Sequence, residues 1–345
     1  MQLILGLILL SFFTISLLLV PFINLLYKIK FQRQTQKTID IFARRTPIFD
    51  KLHAHKVGTP LGGGFLVIFV VFVLTLFFIF YLQYAGLNIV SIYPFEKEIF
   101  ILLFTFTSFG LLGLYDDLRK TFGLKAKFWG LKFWHKLILQ IILAVVIAWW
   151  LYSDTGLGIH ILNIRFIDVF DIGAAFLPFA AFVIIAFANA VNITDGLDGL
   201  ATGTLVIALV SFLAISANIL DTTLSIFLGL WIGALIAFLY FNIPPARIWL
   251  GDVGALSFGA TLAVVGLLTG KILALAIIGG VFVVEVGSSA IQLFSKKFFG
   301  KKVFEVAPLH LWFQNRGWEE PKIVIRFWLA AVMFSVFGLW LAFGQ

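Results

Sequence analysis

Apolar residues form long blocks along this chain, and polar residues gather in the stretches between them. A membrane-spanning helix needs about 20 consecutive, mostly apolar residues. Ten stretches meet or nearly meet that length: 3–27, 62–83, 98–115, 134–152, 172–190, 200–218, 222–241, 254–270, 272–294 and 323–344. The pattern predicts an all-α polytopic membrane protein of about ten transmembrane helices, in a single integral membrane domain over 1–345. Only Gly270 and Lys271 separate the eighth and ninth stretches, which predicts a tight helical hairpin. The first stretch does not read as a cleavable signal peptide. It lacks a basic start, is too long and has no small-residue cleavage site. Gly156, Gly158 and the alternating run 159–164 predict a short hairpin lying on the membrane, with no catalytic role.

Composition narrows the class. Hydrophobic residues make up 61% of the 345 and charged residues 12%, against about 25% charged in a soluble domain. That shortage of charge excludes an ordinary soluble enzyme and a disordered tail. The absence of cysteine excludes a disulfide-stapled secreted domain.

The charges that remain are segregated. Of 25 Lys and Arg, 22 lie in or beside the loops after odd-numbered spans. Only Lys97, Arg165 and Lys271 follow even-numbered spans. By the positive-inside rule the first set of loops is cytoplasmic and both termini are extracytoplasmic. The net charge of +8 then reads as a topology signal with attraction for anionic lipid and substrate, not as nucleic-acid binding.

Polar groups in or beside spans mark function by default. The third span ends in Tyr115-Asp116-Asp117-Leu118-Arg119-Lys120. Two adjacent carboxylates at the negative end of a helix dipole are unfavourable. They suit either a bound cation or a solvated end balanced by Arg119 and Lys120. The fifth span ends in Asn189, Asn192, Asp195 and Asp198, at steps of three. Gly196 and Gly199 predict a break there, with both aspartates in a tight turn before the next helix. Two amides and two carboxylates exceed what capping alone requires. Asp252 lies between Gly251 and Gly254, either as an N-cap of the eighth helix or as an ion ligand.

Lys56 precedes the Gly62-Gly63-Gly64 entry to the second helix. It is either an anion contact or part of a linker. His310 stands in a basic, aromatic stretch at the membrane surface, where a structural histidine is the commoner case. Glu285, flanked by Gly279, Gly280, Gly287 and Ser288, reads as the only acid within a span, on a close-packed or bent ninth helix. All but Glu285 fall on one predicted membrane side, in five different loops. Carboxylates without a thiol favour magnesium or manganese over zinc. Carboxylates, Mg2+ and lysine together equip a site for phosphoryl chemistry on a lipid-linked substrate.

Taken together, His53 to Gly64, Leu114-Tyr115-Asp116-Asp117, Asn189 to Leu200, Pro245 to Gly254 and Ala307 to Trp328 resemble the polyprenyl-phosphate N-acetylhexosamine-1-phosphate transferase superfamily. The tail Gly317-Trp318-Glu319-Glu320-Pro321-Lys322 favours its phospho-N-acetylmuramoyl-pentapeptide transferase branch. The resemblance covers nearly the whole chain. It implies transfer from UDP-MurNAc-pentapeptide to undecaprenyl phosphate at a bacterial inner membrane, with release of UMP and a requirement for Mg2+. It implies Asp252 as metal ligand assisted by Asp117, and Asp116 as general base. Asn189, Asn192, Asp195 and Asp198 would hold the uridine and its diphosphate, and Lys56 and His310 would contact phosphate. Thr59 and Trp249 are further substrate-binding candidates within the matched segments. The apolar ninth-helix region before Lys296 and Lys297 would hold the prenyl chain. A homodimer is also implied.

Two positions depart from the family. It usually has three consecutive histidines where this chain has His310-Leu311-Trp312, and Thr-Met where this chain has Leu61-Gly62. A covalent aspartyl-phosphate route competes with direct transfer. Two other functions compete with this one: a UDP-GlcNAc-type sugar-1-phosphate transferase, and a membrane transporter with a midplane acidic site.

Overall fold

The computed structural model describes residues 2–32, 50, 56–86, 89–122, 133–153, 155–164 and 168–343. His53 and His55, ahead of Lys56, and most of the loop between the third and fourth spans lie outside them. The helices are α1 (Gln2–Lys28), α2 (Gly63–Tyr84), α3 (Phe95–Phe122), α4 (Phe133–Tyr152), α5 (Phe176–Thr194) and α6 (Leu200–Asn218). They continue as α7 (Thr222–Asn242), α8 (Gly251–Leu268), α9 (Ile272–Ile278), α10 (Gly280–Phe298), α11 (Leu309–Asn315) and α12 (Glu320–Phe343). Among the described residues, nine helices are long and apolar enough to cross a membrane, and the bent α9–α10 pair makes a tenth if it is counted as one span. Strands β1 (Ile161–Ile164) and β2 (Asp168–Asp171) pair antiparallel as the expected hairpin.

The expected spans are sharpened at three points. The stretch 272–294, read as close-packed or bent, is bent by 77° between α9 and α10, and α10 runs on to Phe298. Two adjacent glycines weaken the helix there. A Cβ on Gly279 would stand 2.6 Å from the Phe187 ring, so the break is fitted to its neighbour. Second, α3 runs past 115 to Phe122. Asp116 and Asp117 therefore lie inside the helix and not at its end. Third, Glu285 is not the only buried acid within a span. Glu98, at the start of α3, is fully buried and accepts the Ser91 hydroxyl. Asp221 lies nearby and caps α7 by accepting Leu224 N–H at 3.0 Å. Burial, then the charges of Glu98 and Asp221, push the Tyr93 hydroxyl up to about 12. This acidic group is at the opposite end of α3 from Asp116.

Helix α8 is the axis of the fold. Every one of its residues except Asp252 is buried, and it packs against α2, α3 and α5. Lipid removes most of the hydrophobic drive between helices, so close packing of small residues holds them together. Glycines supply that closeness here. A Cβ on Gly113 of α3 would stand 2.1 Å from the Asp252 carbonyl oxygen, and one on Gly64 of α2 2.3 Å from Gly254 Cα. A Cβ on Gly259 would meet the Phe187 carbonyl of α5 at 2.2 Å. Further along, the Ser257 hydroxyl donates to the Phe106 carbonyl at 2.6 Å, tying α8 to α3 again. Around this axis α1 and α12 expose Phe13, Leu17, Leu329 and Met333, as a lipid-facing surface requires.

These contacts generate a stability prediction. Gly113→Ala forces α3 away from α8, and overpacking of this kind costs about 1–3 kcal/mol. The variant should unfold at lower temperature in detergent. Gly287→Ala, whose Cβ would meet nothing within 4 Å, should match or exceed the wild type. Equal melting of the two variants would contradict the close approach.

Candidate active site

The site forms at the end of the bundle where α3 and α5 finish and where α6, α8 and α12 begin. Backbone bonds fix the segments that carry it. Trp249 N–H donates to the Pro60 carbonyl at 2.9 Å. Gly63 and Gly64 N–H donate to the carbonyls of Trp249 and Leu250, each at 2.9 Å. The glycine-rich entry to α2 is thereby laid against the entry to α8. Gly251 turns the chain into α8 with φ of +77°, a conformation that L side chains rarely adopt. A Cβ there would also stand 2.6 Å from Asp117 Oδ2.

That turn brings the acids together. Asp117 Oδ2 accepts Val253 N–H at 3.0 Å, so its buried carboxylate sits on the positive end of α8. Asp252 is one residue into α8. It is neither the N-cap, which is Leu250, nor a capping acceptor. Asp116 and Asp252 share two ammonium groups. Lys120 Nζ lies 3.2 Å from Asp116 Oδ2 and 2.9 Å from Asp252 Oδ2. Lys136 Nζ lies 3.0 Å from Asp116 Oδ2 and also contacts Asp252 Oδ2.

A second ion group stands beside the first. Buried Lys56 donates to Asp198 at 2.8 Å and to Glu320. Asp198 also accepts Ala246 N–H at 2.9 Å and Trp249 Nε1–H at 3.2 Å. Its own N–H donates to Glu320 at 2.6 Å. The expected break after α5 is present: the helix ends at Thr194 and residues 195–199 make the turn. Burial raises the Asp195 carboxyl well above its ordinary range. The charges of Asp252, Asp117 and Asp198 add to that, and Lys56 offsets it in part. Asn189 donates to Gln140 Oε1 at 2.7 Å and to the Ile185 carbonyl at 2.8 Å. Asn192 is half-buried one turn further on. Thr59 lies in the turn after Lys56, its N–H donating to the Lys56 carbonyl at 3.4 Å.

His310 arrives from the far side on α11. It is buried, and its Nδ1 lies 2.8 Å from Glu285 Oε2. Its Nε2 faces the Asp195–Asp198 turn, where a Cβ on Gly196 would stand 2.3 Å from it.

The sequence-predicted residues therefore converge, in two linked groups. One is Asp116, Asp117 and Asp252; the other is Lys56, Asp198 and Trp249. Asp195, Asn189, Asn192 and His310 lie on the α5 side. Lys136, Glu320 and Gln140 complete the site without having been singled out. A charge at the start of a helix looks like one more topology charge until its partner is known. Among the described residues no three His, Asp or Glu side chains stand at a common metal position. Two carboxylates from different helices nevertheless converge on positive charge, and both offer hard oxygen donors. Mg2+ is commonly held this way, by one or two carboxylates with substrate phosphates completing the shell.

Comparison with known proteins adds to this geometry. Residues 99–270 match the family described as glycosyl transferase family 4. The phospho-N-acetylmuramoyl-pentapeptide-transferase of Caldanaerobacter subterraneus subsp. tengcongensis is 37% identical over 283 residues, covering 82% of this chain and 84% of its own. The protein of the same name from Rickettsia canadensis is 38% identical over 330 residues, covering 90% and 86%. That of Rickettsia rickettsii strain Sheila Smith is 39% identical over 306 residues, covering 83% and 80%.

The second ion group yields a prediction. Lys56→Met leaves buried Asp198 and partly buried Glu320 without their cation, at a cost of about 3–5 kcal/mol. The melting temperature in detergent should fall markedly. Adding Glu320→Gln, which removes one stranded charge, should recover part of the loss. A Lys56→Met protein that melts like the wild type would contradict the buried pairing.

Proposed function

Because this chain belongs to the phospho-N-acetylmuramoyl-pentapeptide-transferase family, we propose that it transfers phospho-MurNAc-pentapeptide from its UDP carrier to undecaprenyl phosphate. The product is a lipid-linked diphosphate and UMP is released. The observation that carries this reading is the meeting of Asp116 and Asp252 over two lysines, at one end of a ten-span bundle. The third and fifth spans finish at this end, and in the sequence the loops after odd-numbered spans hold 22 of the 25 basic residues. On the positive-inside rule that end is cytoplasmic, where a water-soluble nucleotide donor is available.

The chemical obstacle is that two anionic phosphates must approach each other. Lys120 and Lys136 place two positive charges between the carboxylates of Asp116 and Asp252. On substrate arrival their ammonium groups would turn from the carboxylates to phosphate oxygens. Asp116, released from both, would accept the proton of the lipid phosphate, whose oxygen attacks the β-phosphorus as the bond to UMP breaks. When that phosphate is already dianionic (its second pKa is about 6), Asp116 needs only to orient it. Asp252 and Asp117 would hold Mg2+. When bound, the ion supplies charge neutralisation of the diphosphate and the leaving UMP. Asp195, Asn189 and Asn192 would hold the uridine side of the donor. Asp198 would act mainly by holding Lys56 and Trp249 in place. Exposed Val283, Val284, Ile291 and Phe294 of α10 give the prenyl chain an apolar face.

A UMP-release assay with undecaprenyl phosphate and Mg2+ tests the reading. UDP-MurNAc-pentapeptide should serve as donor and UDP-GlcNAc should not. The opposite preference overturns the donor assignment. Asp252→Ala should lower kcat/KM by at least about a hundred-fold, the scale of losing one group that stabilises transition-state charge, and chelation should act comparably. A folded Asp252→Ala enzyme with near-normal turnover would remove Asp252 from the metal site.

A further inference from the structure

Glu285 touches no reacting group in the mechanism above, yet it is fully buried within α10. Both its carboxylate oxygens serve one residue. Oε1 accepts the backbone N–H of His310 at 3.1 Å, and Oε2 faces His310 Nδ1 at 2.8 Å. Nearby, the Ser288 hydroxyl accepts Leu309 N–H at 3.2 Å and donates to the Glu285 carbonyl at 2.8 Å. These bonds dock α11 on α10. An ionisable group at this position is costly, and an uncharged acceptor would dock the helix equally well. What a carboxylate adds is control of the imidazole. An acceptor with no proton to give fixes the ring proton on Nδ1.

The other ring nitrogen has no such commitment. His310 is 1% exposed, and its Nε2 is buried without a hydrogen-bond partner. It is aimed at the Asp195–Asp198 turn, with room only for the glycine at 196. Leu311 and Trp312 follow it, so this segment offers one imidazole and no substitute.

We infer that Glu285 is a positioning residue for the transfer. It acts through His310, by locking Nδ1–H and aiming Nε2 at the Asp195–Asp198 turn, beside which the donor is proposed to sit. The inference rests on the proposed function, since it assigns the donor to that turn. Glu285→Gln keeps the shape of the side chain, but its NH2 can face Nδ1 and release the tautomer.

The test combines kinetics with a spectrum. In the UMP-release assay, Glu285→Gln should lower kcat by about ten- to a hundred-fold, the usual scale for losing a group that orients a functional histidine. The donor KM should change far less. Placed in a His310→Asn background, the same substitution should change kcat by less than about twofold, because its target is gone. A full, independent loss in that background overturns the inference, as a merely structural role would give it. Histidine 15N NMR of the purified protein in detergent gives the second arm, with the His310 signals identified by their loss in His310→Asn. Wild type should show protonated Nδ1, and Glu285→Gln should not. Unchanged ring signals in Glu285→Gln overturn the inference. This arm needs no substrate. If the wild type fails to use the muramoyl donor, the functional proposal falls and the spectrum still decides the role of Glu285.

Discussion

The structure depends on how closely α3 can lie against the start of α8. Gly113 touches the Asp252 backbone with no room for a methyl group. Asp116 and Asp117 stand three and four residues later, on the same helix face. One steric fact thus delivers two carboxylates from one helix to the carboxylate of another. Gly64 against Gly254 does the same for α2 and carries the Lys56 segment to the site. Small-residue packing fixes membrane helices, and here it also fixes where the three carboxylates meet.

Such crowding of negative charge has to be balanced, and the balance divides in two. Lys56 is buried among Asp198, Glu320 and Trp249, with several partners each. Breaking that group leaves uncompensated buried charge, so it acts as a fixed support. Lys120 is different: its side chain is 40% exposed, and it shares both of its carboxylates with Lys136. Lys120 and Lys136 occupy the place that the proposed function gives to a divalent cation and a diphosphate. A site filled with its own counterions stays folded without ligand, and an incoming ligand of matching charge can displace them.

Much of this was legible in the sequence because membrane helices are specified by length and apolarity. The ten spans, the hairpin at 161–171, the break after Asn192 and the gathering of Asp116, Asp117, Asp195, Asp198 and Asp252 at one end were all readable. The bend at Gly279 was readable only as a possibility, since it depends on Phe187 of another helix filling the gap. Lys136 and Glu320 were present as charges but mute as partners: Lys136 meets Asp116 and Asp252 across 20 and 116 residues, and Glu320 meets Asp198 across 122. Glu98 was hidden for a simpler reason: an acid at the edge of a span looks like a solvated end unless its burial is known.

Glu285 and Glu98 show what burial adds to residue type. Both are fully buried glutamates in spanning helices. Glu98 meets Ser91 and lies by Asp221, at the end of the bundle away from Asp116 and Asp252. Glu285 meets a histidine whose free nitrogen faces the Asp195 turn. The first arrangement ends in the fold, while the second ends at the site. The same cost of burying an acid is therefore consistent with a structural role in one case and with a directing role in the other, and the partner decides which.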